Sequence, residues 1–411
     1  MYRNSTIRVV ELFAGVGGFR VGLENCSPIF KTVWANQWEP GKAKQYAFDC
    51  YVRHYGKNAN HVCEDIAEVK EQVPPHDLLV GGFPCQDYSV AHTGAKGIEG
   101  KKGVLWWEIN DIVKAKHPTY ILLENVDRLV RSPADQRGRD FGMILRCLND
   151  EGYAVEWRVI NAADYGQAQR RRRTYIFAYK NDTKLFIKLR GHLNTSKGNP
   201  YFEWASKDGF FAGAFPVVRE HHAVKQTIRT ISNEAYEDLA EFSSGFAADF
   251  YNTGIMVDGV VYSEELMPKG SAPKTLKEIR EKDTVDKKYF LNGTTEKWVY
   301  LKGPKRIDRI RPNGEPYQFA EGGIPFPDFL DRPSRTMLTS ESTLNRSTHV
   351  IEDAQTGKLR LLTPVECERL NGFPDDWTDT GMPERSRYFM MGNALVVPLI
   401  TKMGKRILDI I

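Results

Sequence analysis

Short apolar runs alternate with longer amphipathic stretches from the start of the chain to about residue 180. The apolar runs are rich in branched side chains, as is typical of buried strands, and the stretches between them repeat apolar positions at helical spacing. Because strands separated by helices run parallel in one sheet, we predict an α/β fold with a doubly wound, mostly parallel sheet. Ligands of such folds bind at the carboxyl ends of the strands. The predicted strands are IRVVELF (7–13), HDLLVGGF (76–83), TYILLENV (119–126), AVEWRVINAADYG (154–166) and RRTYIFAYK (172–180).

The pattern of apolar and polar residues changes after Lys180. Residues 181–345 show no regular alternation of strands and helices, and they are rich in turn formers, aromatic residues and short charged stretches. Helical patterns return in TPVECERLNGF and NALVVPLITKMGKRILDII. We therefore predict a first domain over 1–180, a separate irregular domain over 181–345 and a C-terminal segment over 346–411.

The composition indicates a globular protein with a well-buried interior, because 41% of its 411 residues are hydrophobic and 27% are charged. No apolar run is long enough to span a membrane, and MYRNSTIRVVELF lacks the apolar core of a secretory signal. We therefore expect a cytoplasmic protein without a membrane partner. The six cysteines form no C-x-x-C pair, so neither a metal site nor a disulfide framework is predicted.

Positive charge is concentrated in two places, although the net charge is only +4. The first cluster is QRRRR at 169–173 and the second is KGPKRIDRIRP at 302–312. Taken alone, each cluster fits a solvated surface better than it fits a binding surface for nucleic acid. Their neighbours in the sequence decide between these interpretations.

A glycine-rich turn, ELFAGVGGFRVGLE, follows the first predicted strand. Glycines at such a turn let the backbone approach a ligand and direct a helix N-terminus at it, although a tight turn in any α/β protein explains them equally well. A nucleotide-type ligand gains support from WANQWEP at 34–40, where the second strand is predicted to end, and from Asp65 after a third short strand. Three strand ends therefore meet at one predicted pocket. The glycine-rich turn would contribute Phe13, Gly15, Gly17 and Gly18 to this pocket.

Cys85 and Glu124 follow two of the predicted strands, in FPCQ and LLENV. A buried cysteine is commonly structural, but a thiol at the carboxyl end of a strand near positive charge can be a nucleophile. Glu124 is either a surface residue that ends a strand or a positioned acid, and the neighbouring Asn125 favours the acid. The arginines of QRRRR could supply the positive charge.

Taken in order, six motifs resemble those of the DNA cytosine-5 methyltransferases: FAGVGG, FPCQ, ENV, QRRRR, RLLTPVECERLNGFP and GNALVVP. The resemblance covers about residues 1–180 and 330–411. Residues between these ranges fall where that family keeps its variable target-recognition domain. The resemblance implies the fold of the S-adenosylmethionine-dependent methyltransferases, with S-adenosyl-L-methionine as cofactor and double-stranded DNA as partner.

The same resemblance implies a set of cofactor-binding residues. Trp38 would lie against the adenine, Asp65 near its amine, and the residues after the GN of GNALVVP would close the pocket. The family usually has an acid immediately before this tryptophan, for the ribose. Here Gln37 stands in that place and Glu39 follows two residues later, so the ribose ligand stays open between them. The implied set is Phe13, Gly15, Gly17, Gly18, Gln37, Trp38, Asp65, Pro84, Asn393, Ala394 and Leu395.

The implied reaction begins with attack of the Cys85 thiolate on C6 of a cytosine, which makes C5 nucleophilic. Glu124 would relieve the charge that builds at N3, and methyl transfer to C5 and removal of the C5 proton would follow. Arg171 and Arg173 match the family positions that contact the base carbonyl and shape the surroundings of the thiolate. In the alternative interpretation, QRRRR is a phosphate-facing stripe, which suits its other two arginines.

Because this chemistry cannot occur inside a stacked duplex, the resemblance implies base flipping, for which methyltransferases are a standard example. We expect 87–103, with its small, glycine and basic residues, to be a loop that closes over the base, although a plain surface loop has the same composition. Residues 302–312 and the neighbouring Tyr317 and Phe319 are candidates for phosphate and base contacts, which the sequence does not separate.

The chain carries none of the chromatin modules of the larger family members, so we expect a bacterial type II restriction-modification methylase that protects DNA from a cognate endonuclease. WANQWEPGKAKQYAFDCY and LLENVDRLVRSPADQRGRDF further resemble the branch that modifies the cytosine of GATC. Two alternatives are an enzyme of the same fold that acts on transfer RNA and a noncatalytic DNA-binding protein. The long middle segment disfavours the first, and intact FPC and ENV disfavour the second. We expect a monomer.

Overall fold

The computed structural model describes residues 6–83, 105–219, 224–293, 295–311 and 313–411. The strands are β1 Ile7–Leu12, β2 Phe30–Asn36, β3 His61–Val62, β4 Leu78–Gly82, β5 Tyr120–Val126, β6 Tyr153–Asn161, β7 Arg172–Lys180, β8 Val217–Val218, β9 Gln226–Thr230, β10 Thr253–Val257, β11 Val260–Glu264, β12 Met267–Pro268, β13 Lys305–Ile310, β14 Pro316–Glu321, β15 Val350–Glu352 and β16 Leu359–Leu361. The helices are α1 Gly18–Cys26, α2 Tyr46–Tyr55, α3 Ile66–Val69, α4 Leu105–Lys116, α5 Arg139–Asp150, α6 Lys184–Thr195, α7 Pro200–Glu203, α8 Leu239–Gly245, α9 Leu276–Ile279, α10 Glu296–Lys302, α11 Pro364–Asn371, α12 Glu384–Asn393 and α13 Val397–Ile410.

A ten-stranded sheet in the order β3-β2-β1-β4-β5-β7-β6-β10-β11-β9 forms the centre of the molecule. Strands β3, β2, β1, β4 and β5 are parallel, so the predicted α/β fold with a mostly parallel sheet is confirmed over this half of the sheet. Strand β7 is antiparallel to β5 and β6. The link over 162–171 is too short for the crossover that a parallel pair requires, so β6 returns directly as β7.

The sheet continues into the segment for which the sequence predicted an irregular domain. Strand β10 pairs with β6 and β11 pairs with β9, both antiparallel. The hairpin between β10 and β11 turns at Asp258 and Gly259, both with positive φ, and an Asp-Gly pair between apolar runs is a strong hairpin signal. Gly254 is opposite Trp157, where a Cβ would meet the indole ring at 2.0 Å. The division into three segments stays a prediction, and the sheet extends beyond its first boundary.

Buried apolar residues cover both faces of the sheet. One cluster joins the sheet to α1 and α13, and the other joins it to α4 and α5. Helices α1 and α13 approach closely at Gly22, where a Cβ would be 2.5 Å from Cβ of Ile400. The last helix thereby stabilises the first helix after the glycine turn. Within the described ranges, no helix has both the length and the apolar character needed to cross a bilayer.

Candidate functional site

A cavity of about 370 Å³ opens at the carboxyl ends of the parallel strands. The cavity brings together residues from distant parts of the chain. They come from the glycine turn after β1, the segment after β2, the ends of β4 and β5, the start of α4, and the end of α12 with its link to α13. Most of the predicted cofactor residues line it, together with residues that the sequence did not single out. The lining residues are Phe13, Ala14, Gly15, Val16, Gly18, Phe19, Gln37, Trp38, Glu39, Pro40, Ala47, Gly82, Leu105, Glu124, Phe389, Met390, Asn393, Ala394 and Leu395.

Left-handed backbone conformations shape the glycine turn. Gly17 has φ +89° at the N-cap of α1, and a Cβ there would lie 2.9 Å from the Tyr55 ring. Phe13 also has a positive φ, of 53°, although it carries a side chain. Such backbone is costly for residues other than glycine and is concentrated at ligand sites. The turn is therefore a strained element that bends the chain around the cavity.

Gln37 holds this turn in place. Its Oε1 accepts a hydrogen bond from the backbone N–H of Gly15 at 2.7 Å. Glu39 also lines the cavity, and its carboxylate has no hydrogen bond or ion pair with the described residues. The two candidates for the ribose therefore differ. The side-chain oxygen of Gln37 already accepts a hydrogen bond, whereas the carboxylate oxygens of Glu39 accept none from the described residues.

The C-terminal segment closes the cavity from the other side. A Cβ on Gly18 would be 3.0 Å from the side chain of Leu395, so the two segments are in close contact. Trp377 donates its Nε1–H to the carbonyl of Val16 at 2.8 Å and stacks on His54 with ring centroids 3.6 Å apart. Sequence reasoning missed Trp377, which joins α2 to the glycine turn.

Asp65 lies outside the lining of this cavity. Its carboxylate accepts the backbone N–H of Ala67 at 3.1 Å and caps α3. An N-cap role satisfies one of the free donors at the start of a helix. The contact of Asp65 with an adenine amine stays a prediction.

Beneath the glycine turn is a buried carboxyl group that the sequence did not single out. Glu11 accepts hydrogen bonds from the Tyr51 hydroxyl at 3.1 Å and from the backbone N–H of Arg20 at 3.4 Å. Burial raises the pKa of Glu11 to about 7, and the favourable contacts with Tyr51 and Arg20 only partly oppose this shift. His61, which contacts the Arg20 guanidinium, has a pKa lowered by burial.

Replacing Glu11 with glutamine is expected to change how stability depends on pH. The pKa of Glu11 is about 7 in the folded protein against an ordinary 4.5, so the native state binds the extra proton and the free energy of unfolding falls as pH rises through this range. The neutral amide of Glu11→Gln lacks this decline, so the variant should gain up to roughly 3 kcal/mol relative to the parent between about pH 5 and about pH 8. Urea unfolding at both pH values measures it. His61 titrates in both proteins, and parallel pH dependences would refute the role of Glu11.

Glu124 faces the cavity from the end of β5. Its Oε1 pairs with Nε of Arg173 at 3.0 Å, and its side chain is 12% exposed. Burial raises the pKa of Glu124, while the charges of Arg173 and Arg171 act in the opposite direction. Because β7 runs antiparallel to β5, Arg173 is opposite Val126 and can reach back to this carboxylate. The turn of β6 into β7 thus places the acid beside its arginine.

The four arginines of QRRRR alternate in direction. Arg171 and Arg173 point inward, whereas Arg170 and Arg172 are exposed. Arg171 is almost fully buried and donates to the carbonyls of Met337 at 3.3 Å and Gly392 at 3.0 Å. Burial and the neighbouring charge of Arg173 lower the pKa of Arg171 to about 9. Its hydrogen bonds join the start of β7 to Met337 and to the end of α12, and its contact with a base stays a prediction.

Gln169 was overlooked because it precedes four charged residues, yet it is fully buried. Its Oε1 accepts the backbone N–H of Met337 and its Nε2 donates to Oδ1 of Asn371, both at 3.0 Å. The one indication in the sequence that Gln169 is buried was its uncharged side chain at the start of an otherwise basic run. Gln169 and Arg171 together hold the strand ends and the C-terminal segment in one arrangement.

Asn125 joins the ends of two strands. It donates from Nδ2 to the carbonyl of Phe83 at 2.8 Å, and a Cβ on neighbouring Gly82 would be 3.4 Å from the carboxylate of Glu124. The end of β4 is therefore held next to the acid. Pro84, Cys85 and the predicted loop 87–103 lie outside the described residues. The described residues contain no group of His, Cys, Asp and Glu side chains that could hold a metal ion.

Comparisons with known proteins agree with this geometry. The family model described as C-5 cytosine-specific DNA methylase matches residues 7–409. The chain is 51% identical to the type II methyltransferase M.Sau3AI of Staphylococcus aureus over 98% of its own length and 95% of the relative. It is 34% identical to the type II methyltransferase M.HhaI of Haemophilus parahaemolyticus over 44% of this chain and 51% of that one.

Solved structures share the fold over nearly the whole chain. A DNMT2 variant of Spodoptera frugiperda superposes with a TM-score of 0.59 at 14% identity, covering 98% of this chain and 100% of that one. The S. pombe Dnmt2 methyltransferase superposes with a TM-score of 0.56 at 16% identity, covering 98% of each chain. At these identities the likeness concerns the fold. The match to the family model over nearly the whole sequence, with the extensive identity to a type II methyltransferase, shows that this chain belongs to the C-5 cytosine-specific DNA methylase family and is a DNA (cytosine-5-)-methyltransferase.

Proposed function

We propose that this enzyme transfers a methyl group from S-adenosyl-L-methionine to C5 of a cytosine that has been flipped out of a specific duplex sequence. One observation carries this proposal. Glu124, paired with Arg173, lines the same cavity as the glycine turn and Trp38. A nucleotide-sized cofactor and a pyrimidine could therefore meet at the ends of β4 and β5, and Cys85 follows β4 by three residues in the sequence.

The cavity lining fits S-adenosylmethionine, which would supply an electrophilic methyl group when bound. Trp38 and Phe13 offer apolar surface for the adenine, and Glu39 offers carboxylate oxygens for hydroxyl groups. The N-cap residue Gly17 has no side chain to accept hydrogen bonds from the first backbone N–H groups of α1, and Gly18 and Phe19 line the cavity. Such groups favour a negatively charged group, such as the methionine carboxylate.

The residues of the chain would act on the cytosine ring in successive steps. The Cys85 thiolate bonds to C6 while Glu124 delivers a proton to N3, so no full negative charge develops on the ring. The electron pair at C5 then bonds to the methyl group as the bond between that methyl and the sulfonium sulfur breaks, which would leave a neutral thioether. A base then removes the C5 proton, which restores the C5–C6 double bond and expels the thiolate, and N3 returns its proton to Glu124. Arg173 keeps the carboxyl group oriented through the ion pair at 3.0 Å.

We further propose that the enzyme protects DNA from a cognate restriction endonuclease and that its site is GATC. The identity to a type II methyltransferase over nearly the whole chain supports the first part, and the sequence resemblance supports the second. The test is to express the chain in a bacterial host without cytosine methylation and to sequence 5-methylcytosine in its DNA. Cys85→Ser serves as the inactive control.

Methylation at GATC, with resistance to an endonuclease that cuts the unmethylated site, would support the complete proposal. Methylation at another sequence would refute GATC and keep the reaction. Unmethylated DNA from cells that contain folded enzyme would refute the reaction itself.

Glu39, rather than Gln37, is expected to bind the ribose hydroxyls. The Gln37 acceptor is already used by the Gly15 N–H, whereas the Glu39 carboxylate is available at the cavity wall. A hydrogen bond to a charged group contributes about 1.5–3 kcal/mol, so Glu39→Gln should weaken binding of S-adenosylhomocysteine by about tenfold or more. Calorimetric titration measures the affinity.

The 2′-deoxy analogue of the ligand separates a direct contact from a structural effect. If Glu39 binds the ribose, the analogue should bind the parent weakly and the Glu39→Gln variant should no longer distinguish the two ligands. Gln37→Ala should weaken both ligands alike, because it loosens the turn. Unchanged discrimination in Glu39→Gln would show that the ribose is bound elsewhere.

A further inference from the structure

Most of the second basic cluster forms β13, which pairs with β14 in an antiparallel ribbon of two strands. Among the described residues, neither strand pairs with any other. The strands pair in register from Lys305 opposite Glu321 to Ile310 opposite Pro316. Five of the six residues of β13 are exposed, and Ile310 is 75% exposed. Since isolated ribbons are only marginally stable in water, this surface is expected to gain from a partner that covers it.

The two faces of the ribbon differ in chemistry. Alternation along the paired strands puts Ile307, Arg309, Tyr317 and Phe319 on one face, the aromatic face. There the Arg309 guanidinium lies 4.0 Å from the centroid of the Phe319 ring. This stacking holds the arginine against the ribbon and stiffens the pair of strands.

The opposite face, the polar face, carries Arg306, Asp308 and Gln318 together with Ile310. All four are exposed, and the only hydrogen bond among them in the described chain is a long one, 3.3 Å, from Gln318 to Asp308. Arginine suits the acceptors of guanine, glutamine suits adenine, an acid suits the cytosine amine, and an apolar side chain suits the thymine methyl.

The base of the ribbon is held by buried charges. Lys302 is 1% exposed, donates to the carbonyl of Thr348 at 2.6 Å and pairs with Asp328 at 3.3 Å. Asp328 also pairs with Arg335 at 2.8 Å. Uncompensated charges at these depths are costly, so the cluster holds the ribbon in one orientation.

The same segment connects the ribbon to the catalytic side. Arg170 donates its backbone N–H to the carbonyl of Ser334 at 2.9 Å, and Met337 donates to Gln169 at 3.0 Å. A few residues therefore separate the buried anchor of the ribbon from Arg171. An element that docks on DNA at a fixed distance from the reacting base needs such a rigid connection.

We infer that the ribbon β13–β14 enters the major groove of duplex DNA with its polar face on the base edges, so that Arg306 and Gln318 determine the methylated sequence. The inference rests on the proposed function. A two-stranded ribbon fits the width of the major groove. The aromatic face stiffens the ribbon, and Arg309 adds charge that attracts phosphates without distinguishing sequences.

Arg306 and Arg309 form a matched pair for the test, because they are on one strand, carry one charge each and belong to opposite faces. A library of duplexes randomised around the target cytosine is methylated by the full-length enzyme, and 5-methylcytosine is sequenced. Arg306→Ala should reduce the preference for one base over the others by roughly 10- to 100-fold at one position of the DNA site. Gln318→Ala should have the same effect at a different position. Arg309→Ala should keep the preferred sequence, bind all duplexes more weakly and lower the salt slope of binding by about one.

Arg306→Lys keeps the charge without the bidentate geometry, so it should relax the preference while general affinity stays close to that of the parent. Melting temperatures of all variants report whether they fold. An unchanged sequence preference in folded Arg306→Lys and Arg306→Ala, or relaxation by Arg309→Ala instead, would overturn the assignment of the faces.

Selection of bound duplexes from the same library without methyl donor tests the ribbon independently of the reaction. Sequence-selective binding that depends on Arg306, in an enzyme that methylates nothing, would support the ribbon and refute the proposed function. Methylation of a defined sequence that stays the same in Arg306→Ala and Gln318→Ala would support the proposed function and refute the role of the ribbon.

Discussion

Cys85→Ser is expected to abolish methyl transfer while cofactor binding survives. A serine hydroxyl is far less ionised than a thiol at neutral pH, so it would not add to C6, and the rate should fall at least about 10³-fold. The described cofactor cavity is built without this residue, and S-adenosylhomocysteine should bind the variant as it binds the parent. Methyl transfer to a duplex that carries the recognition site measures the rate, and calorimetry measures the binding.

A duplex with 5-fluorocytosine at the target position sharpens this experiment. Fluorine at C5 blocks the last elimination, so the parent enzyme should remain covalently attached to the DNA through the peptide that contains Cys85. Cys26→Ser is a matched control, because Cys26 is a half-buried thiol at the end of α1, away from the cavity lining. An adduct on another peptide, or full turnover by Cys85→Ser, would exclude this nucleophile.

Glu124→Gln is expected to reduce the rate by about 10²- to 10⁴-fold, because the amide keeps the size of the side chain but has no proton to deliver. The parent should show a pH dependence that the variant lacks. Burial raises the pKa of Glu124, so its acid form persists to higher pH than in a free glutamic acid and is lost as pH rises through that pKa. Adduct formation should therefore decline on the alkaline side in the parent and not in Glu124→Gln.

The Arg173→Gln variant tests the role of Glu124 as the proton donor in a second way. The positive charge of Arg173 favours the ionised carboxylate and lowers the pKa of Glu124, so its removal should shift the alkaline decline to higher pH. Single-turnover rates of adduct formation over a pH series measure both effects. An alkaline limb that stays in place in Arg173→Gln, or that persists in Glu124→Gln, would mean that another group supplies the proton.

Local sequence determined the parallel half of the sheet and the residues that stand at its strand ends. The strands at 7–12, 78–82 and 120–126 lie within their apolar runs, and the residues after them converge because parallel strands end at one edge. The Gly17 turn and the carboxyl group of Glu124 were therefore accessible from spacing and composition alone. The resemblance to the DNA cytosine-5 methyltransferases separated Arg171 and Arg173 from their neighbours, and in the structure these two side chains point inward while Arg170 and Arg172 are exposed.

Only the tertiary structure decided the features that depend on contacts between distant segments. Pairing of β10 with β6 extends the sheet into residues with no regular pattern, because the strands are short and Gly254 accommodates Trp157 from far along the chain. Whether Gln37 or Glu39 is free depends on one hydrogen bond to Gly15, which no spacing encodes. Which side chains of β14 share a face with Arg306 and with Arg309 depends on the register in which β13 pairs with β14, and no local pattern fixes that register. Composition and local periodicity describe neighbours along the chain, whereas these properties arise from neighbours in space.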